Sequence, residues 1–143
     1  MIHSLDHVAL SVTNMPRAVK FYRDIIGMAV VMEIEFLDDR ISKITGIPGA
    51  KCKVVHLKLG HTVLELFQYY NPKGKSIPAK FRQCDNGFTH IGFCVTDIYK
   101  HIKQLEKHKI KFLGKLTEAR PGVFVIYFRG PDNEVCEFRQ LPE

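Results

Sequence analysis

The chain has no tryptophan and only four cysteines in 143 residues. Cys52, Cys84, Cys94 and Cys136 show no C-x-x-C spacing, which argues against a zinc knuckle and a disulfide framework. Cys94 and Cys136 lie inside apolar runs and read as free, buried thiols. Long hydrophobic runs are missing too. The longest, such as Val123 to Phe128, fall far short of the roughly 20 residues of a membrane span. The opening MIHSLDHVAL lacks the basic start and apolar stretch of a secretory leader, so the expected location is the cytoplasm. No glycine-rich phosphate cradle occurs.

What is present has the balance of an ordinary globular domain, with 45% hydrophobic and 25% charged residues. Lys and Arg number 21 against 15 Asp and Glu, a formal charge of +6. That surplus suits either a nucleic acid or an anionic small molecule. The Lys-rich stretch from Lys100 to Lys115 is mainly the outer face of an amphipathic helix and its exit. It has no interleaved aromatic platform of the kind single-strand binders use. The expected partner is therefore a small-molecule substrate, with no nucleic acid and no membrane.

An internal repeat organises the chain. DHVALSVTNMPRAVKFY, from Asp6, and THIGFCVTDIYKHIKQL, from Thr89, both run through a His, an alternating apolar strand and Val-Thr-[Asn/Asp] into a helix. VLELFQ from Val63 and VCEFRQ from Val135 form a second matching pair. The expectation is one α+β domain over residues 1–143, made of two βαβββ modules that form a curved mixed sheet. Module one spans 1–70, module two 88–143, and a Pro-, Gly- and Lys-rich linker covers 71–87.

Strands are expected at Leu5–Val12, Met28–Phe36, Lys53–Leu59, Val63–Tyr69, Phe88–Val95, Lys111–Leu116, Val123–Phe128 and Val135–Arg139. Asn14 and Asp97 are the helix N-caps, with Pro16 in the first turn and Gly27 closing the first helix. Ile98, Ile102 and Leu105 form the buried stripe of the second. His61–Thr62 and the Pro131–Glu134 segment are read as hairpin turns, with Asn133 in a left-handed position. The surplus segment Leu37–Cys52 holds a short helix. It serves either as a lid or, through Ile41, Ile44 and Ile47, as satellite core.

Period-two alternation sorts the polar residues. His7 shares a face with Leu5, Ala9 and Ser11; His90 shares one with Phe88, Gly92 and Cys94. Glu65 lies with Val63 and Phe67, and Glu137 with Val135 and Arg139. All four project away from the helix-packed side. A lone His in a strand is commonly structural, and a Glu in LELF also reads as an edge charge or a partner for a Lys. The matched pairing changes that reading, because each half supplies one His and one Glu at equivalent places. Two carboxylates on one concave surface are costly to leave uncompensated. A divalent cation resolves the cost, and the mixed N/O donors suit Zn, Ni, Co, Mn or Fe(II).

The motifs LDHVALSVTNMPRAVKFYRDIIGM, LELF, FTHIGFCVTD and YFRGPDNEVCEF cover both halves. Through them the chain resembles the vicinal oxygen chelate superfamily, which includes glyoxalase I, methylmalonyl-CoA epimerase, extradiol dioxygenases and fosfomycin resistance proteins. The resemblance implies paired βαβββ modules forming a cup around one divalent metal, commonly in a homodimer. It places the metal ligands on His7, Glu65, His90 and Glu137. Two departures are Asn133, where the family often has Gly, and Lys109 to Lys111, where a helix-ending Gly is common.

The complete His/Glu/His/Glu set implies a metal-dependent lyase or isomerase of the glyoxalase I type, with the metal as a Lewis acid that stabilises an enediolate. Glu137 or Glu65 is the candidate catalytic base. Arg120, Arg82, Lys73 and Lys75 are candidate cations for the carboxylates of an anionic thiol conjugate or the phosphates of a thioester. Tyr69, Tyr127 and Arg139 are candidate pocket residues, although aromatics there also serve packing. Alternative readings are an epimerase of the methylmalonyl-CoA type, an Fe(II) extradiol dioxygenase, and a metal-free resistance protein that sequesters a small molecule.

Overall fold

Asn14 turns the first strand into the first helix in one step. Its backbone is extended and its side chain accepts from the Arg17 backbone N–H at 2.9 Å. The computed structural model describes residues 1–142 and divides the chain into two compact units, residues 1–76 and 77–143.

In the first unit β1 (His7–Ser11) leads to α1 (Met15–Lys20), which runs on into a π-helical turn at Phe21–Ile25. Gly27, at a φ of 90°, lets the chain leave that turn. Then follow β2 (Ala29–Phe36), α2 (Arg40–Thr45), β3 (Lys51–Leu59) and β4 (Thr62–Asn71). The sheet order is β1-β4-β3-β2, with β1 parallel to β4 and the other pairs antiparallel. Helix α1 packs against β4 and buries Met15 and Ala18; Phe21 and Tyr22 follow from the π-turn. On the strands the alternation expected from sequence holds, since Val55, Leu57, Leu64 and Leu66 are buried. Each such side chain contributes about 1.5–3 kcal/mol by leaving water. A second apolar cluster gathers Ile41 of α2 with Ala50, Cys52 and Val54, flanked by Ile34, Phe36, Ile47, Phe67 and Tyr69. Ile41 and Ile47 are thus core, whereas Ile44 is exposed.

The second unit repeats the plan with β5 (Ile91–Cys94), α3 (Ile98–Lys107), β6 (Thr117–Arg120), β7 (Val123–Arg129) and β8 (Val135–Gln140). Its sheet order is β5-β8-β7-β6, with β5 parallel to β8. Asp97 caps α3, accepting from the Lys100 N–H at 3.0 Å. Ile98 and Leu105 are buried, as the helical stripe requires. The ring centroids of Phe138 and Phe128 lie 4.6 Å apart, with the planes tilted by 53°. The repeat extends to the caps. The last strand of each unit carries, near or at its end, a Gln whose Oε1 accepts from the first helical N–H: Gln68 from Met15 at 2.6 Å, Gln140 from Ile98 at 2.8 Å.

Three expectations need correction. The third strand of the second half is Thr117–Arg120, not Lys111–Leu116, whose ladder contact is a single bridge from Phe112 to Phe128. The first hairpin turns at Gly60 and His61, not His61 and Thr62, because Gly60 takes the left-handed φ of 58°. Cys94 is exposed, since it lies on the face away from the helix; Cys52 and Cys136 are the buried thiols, and all four are free. Asn133 takes the left-handed φ of 72° expected of it, and Lys109 takes one of 56° where a glycine would be unstrained. Among the described residues no helix is long and apolar enough to cross a membrane.

Candidate metal and substrate site

The parallel pairing of β1 with β4 sets Ala9 opposite Glu65, and the pairing of β5 with β8 sets Gly92 opposite Glu137. In each unit the His stands two residues before that small residue, on the same face. One register therefore brings His and Glu together twice, and Ala9 and Gly92 leave the space beside them clear.

In the first unit His7 Nδ1 lies 2.9 Å from Asp6 Oδ2. A carboxylate only accepts, so Nδ1 carries the proton and Nε2 is the free nitrogen of the neutral ring. The hydrogen bond to Asp6 raises the His7 pKa against a lowering by partial burial, and the Glu65 charge adds to the rise. His7 Nε2 faces Glu65 Oε2 at 3.5 Å. In the neutral ring these are two acceptors with no proton between them. In the second unit His90 Nδ1 meets the Thr89 hydroxyl at 2.8 Å, and Nε2 meets Glu137 Oε2 at 2.8 Å. The side chains of Glu65 and Glu137 are only 13% and 10% exposed, so each carboxylate needs a positive neighbour.

Two ligands bonded at about 2.0–2.2 Å to one ion stand about 3.0–3.4 Å apart in octahedral or tetrahedral geometry. The 2.8 and 3.5 Å spacings bracket that range, and imidazole with carboxylate is a donor set that borderline divalent ions accept. One pair is slightly wider and the other slightly tighter than that range, so each resembles two donors to an ion without matching the spacing. Among the described residues no group of three or more His, Cys, Asp or Glu is gathered as a metal-ion site.

Sequence reasoning missed one residue here. His56 on β3 lies directly across the ladder from Glu65, and its Nε2 is 3.1 Å from Glu65 Oε1. The equivalent cross-strand partner of Glu137 is Tyr127, whose ring centroid is 5.0 Å from that of His90. Burial raises the Tyr127 pKa, and the charge of Glu137 and a hydrogen bond to it add to the rise.

The surroundings of the two pairs differ. Glu65 and His56 open onto a concavity of about 440 Å³, walled by Met32, Ile34, Phe36, Ile44, Phe67 and Tyr69. Burial, then the nearby Cys52, raises the Tyr69 pKa, so its phenol stays neutral there. Glu137 opens onto one of about 500 Å³ that contains Lys115, Arg120, Tyr127 and Arg139. The first is apolar and the second cationic. Tyr69, Tyr127, Arg120 and Arg139 therefore all line one of the two concavities. Arg82 is tied to Asp85 at 3.0 Å on the surface, and Lys73 and Lys75 border a separate hollow with Ser11 and Thr13.

Comparison with known proteins identifies the family and the fold. The family model of the Glyoxalase/Bleomycin resistance protein/Dioxygenase superfamily matches residues 4–138. Glyoxalase I of Saccharomyces cerevisiae is 32% identical over 138 residues, 90% of this chain and 42% of that protein. The mitochondrial methylmalonyl-CoA epimerase of Mus musculus is 31% identical over 121 residues, 82% of this chain and 59% of that protein. The chain thus spans about half the length of these curated relatives. The crystal structure of a glyoxalase family protein from Bacillus cereus superposes with a TM-score of 0.92, covering 100% of this chain and 97% of that one at 18% identity, a likeness of fold. With the repeated βαβββ plan and a match running through both units, the chain belongs to the Glyoxalase/Bleomycin resistance protein/Dioxygenase superfamily.

Proposed function

We propose that this protein is a metal-dependent lyase or isomerase of the glyoxalase I type, like lactoylglutathione lyase, that moves a proton alpha to a carbonyl. The observation that carries this reading is the repeated His–Glu pair, with Nε2 turned onto a nearly buried carboxylate in both units. His7, Glu65, His90 and Glu137 would be the ligands of the divalent metal, drawn from Zn, Ni, Co, Mn and Fe. When bound, the ion supplies a Lewis acid that polarises a carbonyl oxygen.

The remaining work falls to the chain's own groups. Glu137 takes the proton from carbon, and Glu65 is its counterpart for the return. Arg120 and Arg139 hold an anionic group of the substrate beside Glu137, in the cationic concavity. Tyr127 orients the carboxylate it borders. The apolar wall around Glu65 shapes the concavity in which the uncharged part of the substrate lies. We further propose that the protein works in the cytoplasm as a homodimer, which sedimentation equilibrium would read.

The cationic concavity also suits a thioester bearing phosphates, so an epimerase of the methylmalonyl-CoA type is the second reading. Both reactions exchange a carbon-bound proton. Elemental analysis of the purified protein should find about one divalent ion per chain. With that ion restored, deuterium exchange into hemithioacetals supports the first reading and exchange into acyl-CoA thioesters the second. Metal-free protein that binds its ligand equally well in chelator refutes both. Glu137→Gln with metal content and turnover intact removes Glu137 from both roles.

A further inference from the structure

Glu65 has two oxygens, and the fold gives each a different neighbour. Oε2 faces His7 Nε2 at 3.5 Å, whereas Oε1 faces His56 Nε2 at 3.1 Å. His7 comes from the parallel neighbour β1 and His56 from the antiparallel neighbour β3, so the carboxylate is held from both sides of its strand. His56 stands in otherwise apolar surroundings, with Val54, Ile34 and Met32 lining the same concavity. An imidazole there is costly without a polar partner, and Glu65 is the partner provided. Because a carboxylate only accepts, the contact requires the proton on His56 Nε2.

We infer that His56 is a positioning residue, which pins Oε1 of Glu65 by hydrogen bond and leaves Oε2 as the single oxygen presented beside His7. The inference rests on the reading of His7 and Glu65 as metal ligands. It adds that Glu65 binds through one oxygen, and that the neighbouring strand decides which. Tyr127 stands at the same place beside Glu137, directly across the β7–β8 ladder, so the duplication includes the group that holds each carboxylate as well as the His–Glu pair. Outer partners of this kind commonly govern metal affinity by 10–100-fold.

The test uses the full chain, stripped of metal and titrated with cobalt(II) against a chromophoric chelator. His56→Phe keeps a ring of similar shape and removes the donor; His56→Gln keeps an N–H donor. The expected result is a 10–100-fold loss of cobalt affinity in His56→Phe, with altered visible bands, and recovery to within about threefold in His56→Gln. Wild-type affinity and bands in His56→Phe, or equal losses in both variants, would overturn the inference.

A second measurement stands apart from metal binding and from any folding defect of the variants. Nitrogen–proton correlation spectra of the metal-free wild type, in mildly alkaline buffer, should show His56 as the Nε2–H tautomer with a slowly exchanging proton. Glu65→Ala should make that proton exchange fast. An Nδ1–H tautomer at His56 would refute the hydrogen bond itself. Should His7→Ala bind cobalt as well as wild type, the ligand reading of His7 fails, and the tautomer result still decides whether His56 pins Glu65.

Discussion

The turn before β8 carries a prediction that can be worked through to numbers. Gly130 packs directly under the Glu134 side chain, and a Cβ on residue 130 would overlap the Glu134 carboxylate group. Glu134 is buried, its Oε2 accepts from the Asp132 N–H at 2.8 Å, and its backbone carbonyl accepts from the Gly130 N–H at 2.8 Å. In Gly130→Ala the backbone stays and the carboxylate must leave. The loss includes the buried hydrogen bond from the Asp132 N–H, about 1.5–3 kcal/mol. For a chain of this size that lowers Tm by roughly 5–10 °C. The decisive assay is a double-mutant cycle read by urea unfolding. Glu134→Ala alone should cost about as much as Gly130→Ala. On the Glu134→Ala background, Gly130→Ala should cost only a few tenths of a kcal/mol, since the added methyl then meets no carboxylate. Additive costs in the double variant would refute the steric reasoning.

Other positions give simpler expectations. Lys109→Gly should raise stability by about 1 kcal/mol in urea unfolding, because Lys109 ends α3 at a left-handed φ that only glycine adopts freely. Gln140→Ala should cost about 1 kcal/mol by the same method, since it strips the acceptor from the first N–H of α3. Thiol titration of the native protein should find Cys84 and Cys94 reacting rapidly, and Cys52 and Cys136 reacting only after unfolding; burial also raises the Cys52 pKa and so depletes its thiolate. Arg139→Ala should raise KM for an anionic substrate about tenfold with kcat less affected, measured by steady-state kinetics, because Arg139 lines the cationic concavity without contacting the His–Glu pair.

The repeat, both N-caps and the face on which the core strands β3 and β4 bury their side chains were legible because they depend on neighbours close in sequence. Asn14 and Asp97 needed only the helix that follows them. His56 was not legible, and the cause is a single residue. With the turn expected at His61–Thr62, the residue across from Glu65 would be Lys58, a mundane surface partner. The observed turn at Gly60–His61 pairs Leu59 with Thr62 and so puts His56 there. Register follows the turn, and the glycine that decides the turn sat one place earlier. The edge strand Thr117–Arg120 was missed for another reason: every side chain in it is exposed, so no alternation marks it.

The pairing of the first strand of each unit with its last has a consequence for how the chain matures. During synthesis His7 emerges long before Glu65, and His90 long before Glu137, with a hairpin and a helix between them in each case. Such contacts form late, since the loop they close must be ordered first. A nascent unit that lacks its final strand therefore displays a histidine without its carboxylate. If the pairs bind a metal as proposed above, competence to capture an ion would arrive together with completion of the sheet, coupling quality of folding to acquisition of the metal.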